Sequence, residues 1–119
     1  MSKLAQPIKY CDMSKKSSFQ NLIDSEIPVF IDFHAEWCGP CKAMNPVIKQ
    51  LSKRMGKDIR IVKIDIDKNQ ALAGRLNIRG VPTFALYQHG KQLWRQAGMQ
   101  TLDQLVHVIE SNRVDVKNT

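Results

Sequence analysis

The sequence predicts an α/β fold: a mixed central β-sheet, part parallel and part antiparallel, flanked by helices on both faces. Three observations lead to it. Residues 28–35 are a nearly continuous apolar run, the pattern of a strand buried on both faces, and residues 59–66 read as a second core strand. Between them, residues 41–55 change to helical periodicity, with Met44, Ile48, Leu51 and Met55 in one stripe. This makes a strand–helix–strand unit, the signature of parallel pairing. Residues 81–88 and 92–97 then flank His89-Gly90-Lys91, which reads as a turn and adds an antiparallel hairpin.

Each element has a local reason. Residues 17–25 suggest a short helix, because Phe19, Leu22 and Ile23 share a face and Ser17 with Gln20 matches a capping box. In the first core strand Val29, Phe30, Ile31 and Phe33 are apolar. In the helix that follows, Pro46 lacks a backbone donor and its ring opposes the carbonyl of Lys42, so a kink is expected, with Gly56 as the stop. Asp67 with Gln70 is read as the start of a short helix carrying Leu72 and Leu76. Thr101 and Gln104 form a capping box for the last helix, whose Leu102, Leu105, Val106 and Ile109 lie on one face. Residues 114–119 form a polar tail, expected to fray, and the core is placed at about 5–113.

With 119 residues the chain is long enough for one domain and too short for two ordinary ones, so residues 1–119 are read as a single domain. The formal charge of +7 favours acidic partners. A nucleic-acid partner is not expected, because no aromatic-basic motif accompanies the spread of lysines and arginines. Lys42, Lys49 and Lys53 recur at helical spacing, as on a solvated face. No run approaches the roughly 20 apolar residues of a membrane span, so no membrane role is expected. The N-terminal stretch lacks the apolar core of a secretory signal. Three cysteines are too few for a disulfide scaffold. Together these suggest a reducing compartment, and the expectation is a cytoplasmic protein.

The sharpest local feature is Trp37-Cys38-Gly39-Pro40-Cys41. Two cysteines three residues apart, between a strand-like run and a helix-like run, suit a disulfide that opens and closes. The attacking species in such exchange is a thiolate, whereas a free cysteine, with pKa about 8.5, is mostly protonated at neutral pH. Cys38 would lie at a helix start, where unpaired N–H groups and the positive dipole end favour negative charge. A zinc half-site is the alternative, but zinc usually takes four ligands and only one C-x-x-C is present. Nothing in the spacing of His34 or Cys11 recommends them as additional ligands, so no metal is expected.

The motif extended to Lys42, the preceding Val29-Phe30-Ile31-Asp32-Phe33, and the downstream Arg79-Gly80-Val81-Pro82-Thr83 together resemble the thioredoxin family. Lys63, Asp67, Gly90 and Gly98 fit as well, and the similarity runs from about Phe19 to Asn112. The resemblance implies a thioredoxin-like fold whose first strand falls near residues 6–11. It implies an enzyme that reduces disulfides in client proteins without a bound cofactor. Electrons would come from NADPH through a flavoprotein reductase partner; the sequence leaves the oligomeric state open, with a monomer as the default. Cys38 would be the nucleophile and Cys41 the resolving thiol, with the first cysteine exposed at the helix start and the second facing inward.

Asp32 stands in an apolar strand, where burial should raise its pKa. Alternation puts Phe30, Asp32 and His34 on one face. The resemblance places that face beneath the active-site helix, with Asp32 accepting the proton of Cys41 and Lys63 modulating it. A structural Asp–Lys pair is the alternative. The resemblance also implies a cis Pro82 facing the sulfurs, Val81 pairing with substrate backbone, and a low docking surface of Trp37, Gly39, Pro40, Gly80 and Gly98. Residue types alone would make Pro82 an ordinary strand-starting proline.

His34 departs from the family, which usually has tryptophan there. It is expected either to reach Asp67 as a pH-sensitive charge or to fill part of the tryptophan space as a neutral ring. Cys11 is a regulatory thiol or an incidental cysteine. Two rival functions remain. One is a disulfide oxidase or isomerase, against which Gly39-Pro40 speaks. The other is a binding module that uses the same surface without redox chemistry.

Overall fold

Side-chain alternation along the strands decides where each layer lies. In the computed structural model, which describes residues 8–10, 12–13 and 16–114, five strands form one sheet. They are β1 (Lys9–Tyr10), β2 (Val29–His34), β3 (Arg60–Asp65), β4 (Thr83–Gln88) and β5 (Lys91–Ala97), in the order β1-β3-β2-β4-β5. β3 pairs in parallel with β1 and β2, while β4 runs antiparallel to both β2 and β5. The predicted mixed sheet and α/β class are what the chain adopts.

Among the described residues, four α-helices cover the sheet: α1 (Lys16–Ile23), α2 (Gly39–Met55), α3 (Gln70–Arg75) and α4 (Leu102–Asn112). Odd and even positions of β2 separate two cores. Phe30 faces Met44, Ile48 and Leu51 of α2 and Leu105 and Ile109 of α4, with Ile61, Phe84 and Leu86 from the flanking strands. Val29, Ile31 and Phe33 face the other way, against Phe19 and Ile23 of α1 and Leu72 of α3. Asp32 shares the parity of Phe30, so its carboxylate enters the layer beneath α2. Lys63 shares the parity of Ile61, and the Asp32↔Lys63 register brings the two together.

Several boundaries differ from the sequence expectation for local reasons. α1 begins at Lys16, so Ser17 lies inside the helix and does not cap it. α2 begins at Gly39, two residues earlier than its apolar stripe suggested, and continues through Pro46 to Met55. α3 begins only at Gln70, because Asp65 Oδ1 accepts the backbone N–H groups of Asp67 and Lys68 and holds residues 66–68 in a turn. The hairpin loop is two residues, not three. His89 and Gly90 both have positive φ, 53° and 79°, as the turn that matches strand twist requires, and Lys91 already pairs with Gln88. Of the expected first strand, Lys9 and Tyr10 pair with Val62 and Lys63. Cys11 and residues 115–119 lie outside the described residues.

At α4, Thr101 Oγ1 accepts the Gln104 N–H and Gln104 Oε1 accepts the Thr101 N–H, which satisfies two donors that the helix start leaves open. Thr101→Ala removes one of these bonds. The expected loss is about 1 kcal/mol, seen as a fall in Tm of about 4–8 °C for a domain near this size, with disulfide reduction unchanged below the melting range.

Candidate functional site

β2 delivers the chain at Ala35 to a tight turn through Glu36 and Trp37, and Cys38 then sits as the N-cap of α2. Its backbone is extended (φ −88°, ψ 108°), and its Sγ accepts the N–H of Cys41 at 3.1 Å. Pro40, in the first turn of the helix, removes a donor that would have no helical partner there. Cys38 and Cys41 are joined as a disulfide, their Cα atoms 5.3 Å apart. Sulfur therefore takes the place that a serine or aspartate oxygen usually has at a helix start.

One expectation is corrected here. Cys38 was expected to be exposed and Cys41 to face inward, but both are buried, at 3% and 5% exposure. Ala35 clusters with the pair, and Ile66 and Val81 pack against that cluster. Exposure does not separate the two cysteines; their position relative to the helix end does.

A second loop meets this turn. The Val81–Pro82 peptide bond is cis. Thr83 Oγ1 donates to the Gly80 carbonyl at 2.6 Å, and the Gly98 N–H donates to the Pro82 carbonyl at 2.9 Å. Gly98 has φ 95°, where a side chain would be strained. Trp37 is 69% exposed, and its indole N–H donates to Asp67 Oδ2 at 2.8 Å. Asp67 is thus engaged by Trp37 and not by His34, which corrects the first of the two readings of His34. The His34 ring instead stands edge-on to Tyr10 at 6.2 Å, with Nε2 buried and without a hydrogen-bond partner among the described residues. Burial first, and the Lys63 charge second, hold its pKa below the ordinary value, which favours the neutral ring.

Beneath α2, Asp32 and Lys63 are both buried, at 1% and 6% exposure. Lys63 Nζ lies 3.6 Å from Asp32 Oδ2, an ion contact beyond hydrogen-bond reach, so neither carboxylate oxygen has a hydrogen-bond partner. The Lys63 ammonium donates instead to Asn45 Oδ1 and lies over the Tyr10 ring, 5.4 Å from its centroid. Burial pushes the Asp32 pKa from 3.8 up to about 6, against the opposing pull of Lys63. Asn45 and Tyr10 were not singled out from the sequence. Asn45 lies one helical turn beyond Cys41, a spacing that could have flagged it. Among the described residues, no cluster of three or more histidine, cysteine or acidic side chains could hold a metal ion.

The family model described as Thioredoxin matches residues 11–111. The chain belongs to the thioredoxin family. It is 43% identical over 96 residues to "Thioredoxin Y, chloroplastic" of Oryza sativa subsp. japonica, covering 80% of this chain and 57% of that protein. It is 36% identical over 103 residues to "Thioredoxin Y1, chloroplastic" of Arabidopsis thaliana, covering 83% of this chain and 60% of that one. The chain therefore spans less than two thirds of these two relatives. The solved structure of thioredoxin NaTrxh from Nicotiana alata superposes with a TM-score of 0.81 at 31% identity, over 96% of this chain and 99% of that one.

Membership of the thioredoxin family, with a disulfide formed at the active-site cysteines, makes the chain a thiol–disulfide oxidoreductase that reduces protein disulfides. Thioredoxins carry no bound cofactor, and the family works with disulfide-containing clients and reductase partners. The cytoplasmic expectation is corrected. It rested on cysteine usage and the lack of a signal pattern, whereas two of the relatives with which the chain aligns are named as chloroplastic proteins.

Proposed function

We propose that Cys38 is the nucleophile and Cys41 the resolving thiol of this oxidoreductase. The observation that carries the assignment is the cap: Cys38 Sγ already accepts the Cys41 N–H at the positive end of α2. The same N–H would stabilise a thiolate there. In the cycle, the Cys38 thiolate attacks a client disulfide, one client sulfur leaves as thiolate, and a mixed disulfide forms. Cys41 loses its proton and attacks Cys38 Sγ, which releases the second client thiolate and closes the Cys38–Cys41 disulfide.

Asp32, on the sheet face beneath α2, is the proposed acceptor of the Cys41 proton, and its pKa near 6 suits that role at neutral pH. Lys63 tunes it. The proposed docking surface comprises Trp37, Gly39, Pro40, Gly80, Val81 and Gly98, with Pro82 beside the sulfurs. At Gly39 and Gly80 an added Cβ would meet nothing within 4 Å, so small size there keeps the surface low without serving the core. We further propose that the chain acts as a monomeric single domain and draws electrons from NADPH through a flavoprotein thioredoxin reductase.

Equilibration of the pair against glutathione buffers, with thiol trapping, tests the reductant reading. The expected potential lies below about −220 mV. A value of roughly −180 to −120 mV, the range of isomerases and oxidants, would replace the reductase by a disulfide donor. Asn45 offers a finer test. It holds the Lys63 ammonium out of hydrogen-bond reach of Asp32, so Asn45→Ala should let Lys63 close on the carboxylate. The acid limb of the activity–pH profile, set near pH 6 by Asp32, is then expected to move down by about one pH unit, equivalent to about 1.4 kcal/mol.

A further inference from the structure

A cleft of about 500 Å³ opens on the Cys41 side of the disulfide. Its volume falls in the usual range for small-ligand sites, about 300–1,000 Å³. Cys41, His34 and Asn45 line it, and Cys38 does not. Its charged lining is balanced, with Lys42, Lys63 and Lys68 against Asp12, Glu36 and Asp65. A wall of that kind suits a small zwitterion better than a simple anion. Most of these groups are engaged within the protein, Asp65 by the two backbone amides that its Oδ1 accepts. Lys63 holds Asn45 and Asp32, and an exposed ion pair at 3.5 Å joins Lys68 to Glu36. His34 brings a buried Nε2 without a hydrogen-bond partner among the described residues, and Lys42, on the exposed side of α2, brings a cation.

We propose that this cleft is a second entrance to the redox centre, used by low-molecular-weight peptidic thiols of zwitterionic character, which react at Cys41. The inference rests on the dithiol/disulfide reading of Cys38–Cys41 and adds a substrate class to it. A folded client cannot enter a cleft of this size, whereas a tripeptide thiol can.

The chemistry gives the attack its direction. A small thiolate attacks Cys41 Sγ, the Cys38–Cys41 bond breaks, and a bond forms between Cys41 and the incoming sulfur. The electron pair leaves on Cys38, which is the better leaving group because its sulfur already accepts the Cys41 N–H at the helix start. A second small thiolate then attacks the incoming sulfur on Cys41. It carries that sulfur away as a small disulfide and leaves the Cys41 thiolate, which takes a proton. The protein is reduced by two electrons and two small thiols are oxidised to one disulfide. Attack at Cys38 would expel Cys41, which does not cap the helix.

Reduced glutathione is the probe, applied to the oxidised full chain with thiol trapping, and single-turnover reduction of insulin by the pre-reduced chain is the control. His34→Trp narrows the cleft and is expected to slow reduction by glutathione about tenfold, since small misplacements of reacting groups carry penalties of that order or more. Insulin reduction should stay within about twofold, because clients approach the other side. Lys42→Glu replaces a solvent-facing side chain and tests the same idea without repacking. It should slow glutathione several-fold and leave neutral 2-mercaptoethanol unaffected, as electrostatic steering of a charged ligand predicts. In Cys38→Ser treated with glutathione disulfide, mass mapping should find the adduct on Cys41, reduced about tenfold when His34→Trp is added. Glutathione rates unchanged in both single variants, or no adduct on Cys41, would overturn the proposal. Failure of wild type to reduce insulin would instead strike at the redox reading itself.

Discussion

Cys38→Ser is expected to lower insulin reduction by about 10³-fold or more, to the level of the added thiol alone, while the chain stays folded. The serine hydroxyl can still accept the Cys41 N–H that Cys38 Sγ now accepts at 3.1 Å, so the helix keeps its cap and loses only its nucleophile. Cys41→Ser is expected to fail differently. Cys38 still attacks, but nothing resolves the product, so a stable mixed disulfide between Cys38 and the client should accumulate one-to-one and dissolve on adding dithiothreitol. Mass spectrometry of the two variants after exposure to a disulfide client separates the roles. Adducts trapped equally on both remaining cysteines would remove the assigned order. Retention of full biological function by the double serine variant would favour the binding-module reading over reductase chemistry.

Asp32→Asn is expected to stabilise the protein and slow it. The folded state binds the Asp32 proton more tightly than the unfolded chain does, because burial raises its pKa from 3.8 to about 6. This contribution to stability is therefore complete below pH 3.8 and is lost as pH rises through about 6. At about 1.4 kcal/mol for each tenfold change in proton affinity, the loss above pH 7 is about 3 kcal/mol. Asparagine resembles the protonated form at every pH and avoids it. The variant also removes the ion contact to Lys63, which keeps Asn45 as its partner, so the net gain at pH 7.5 should be about 1–3 kcal/mol. Near pH 3.5 the two proteins should denature at similar urea concentrations. Turnover at neutral pH should fall about 10- to 100-fold, in line with loss of a general base. A variant no more stable than wild type at pH 7.5 would mean that the carboxylate carries no burial penalty.

Much of this was legible because the signals were short-range. The apolar runs around Phe30 and Ile61, the Thr101–Gln104 cap and the two cysteines each depend on neighbours within a few residues. Asp32 announced itself as a charge among apolar side chains. What escaped depends on partners distant in sequence. Asn45 matters because β3 brings the Lys63 ammonium to it, and Cys38 is buried in a cluster against which Ile66 and Val81 pack. The two readings of His34 stayed open in the sequence because one histidine and one tryptophan stand three residues apart, and it is Trp37 that donates to Asp67, 30 residues away. The delayed start of α3 has a local origin instead, a competition between Asp65 and the helix for two amides.

The two faces of β2 carry a consequence for how this sequence tolerates change. One face meets only the apolar side chains beneath α1 and α3, and the other holds Asp32, Lys63 and the base of the disulfide helix. Substitutions at Ile31, Phe33 or Leu72 act on folding alone, so drift there is filtered by abundance and temperature. Substitutions near Phe30, Asn45 or Ile61 act on folding and on proton affinity together. A lineage can therefore adjust its heat tolerance on one side of a single strand while leaving its electron chemistry untouched on the other.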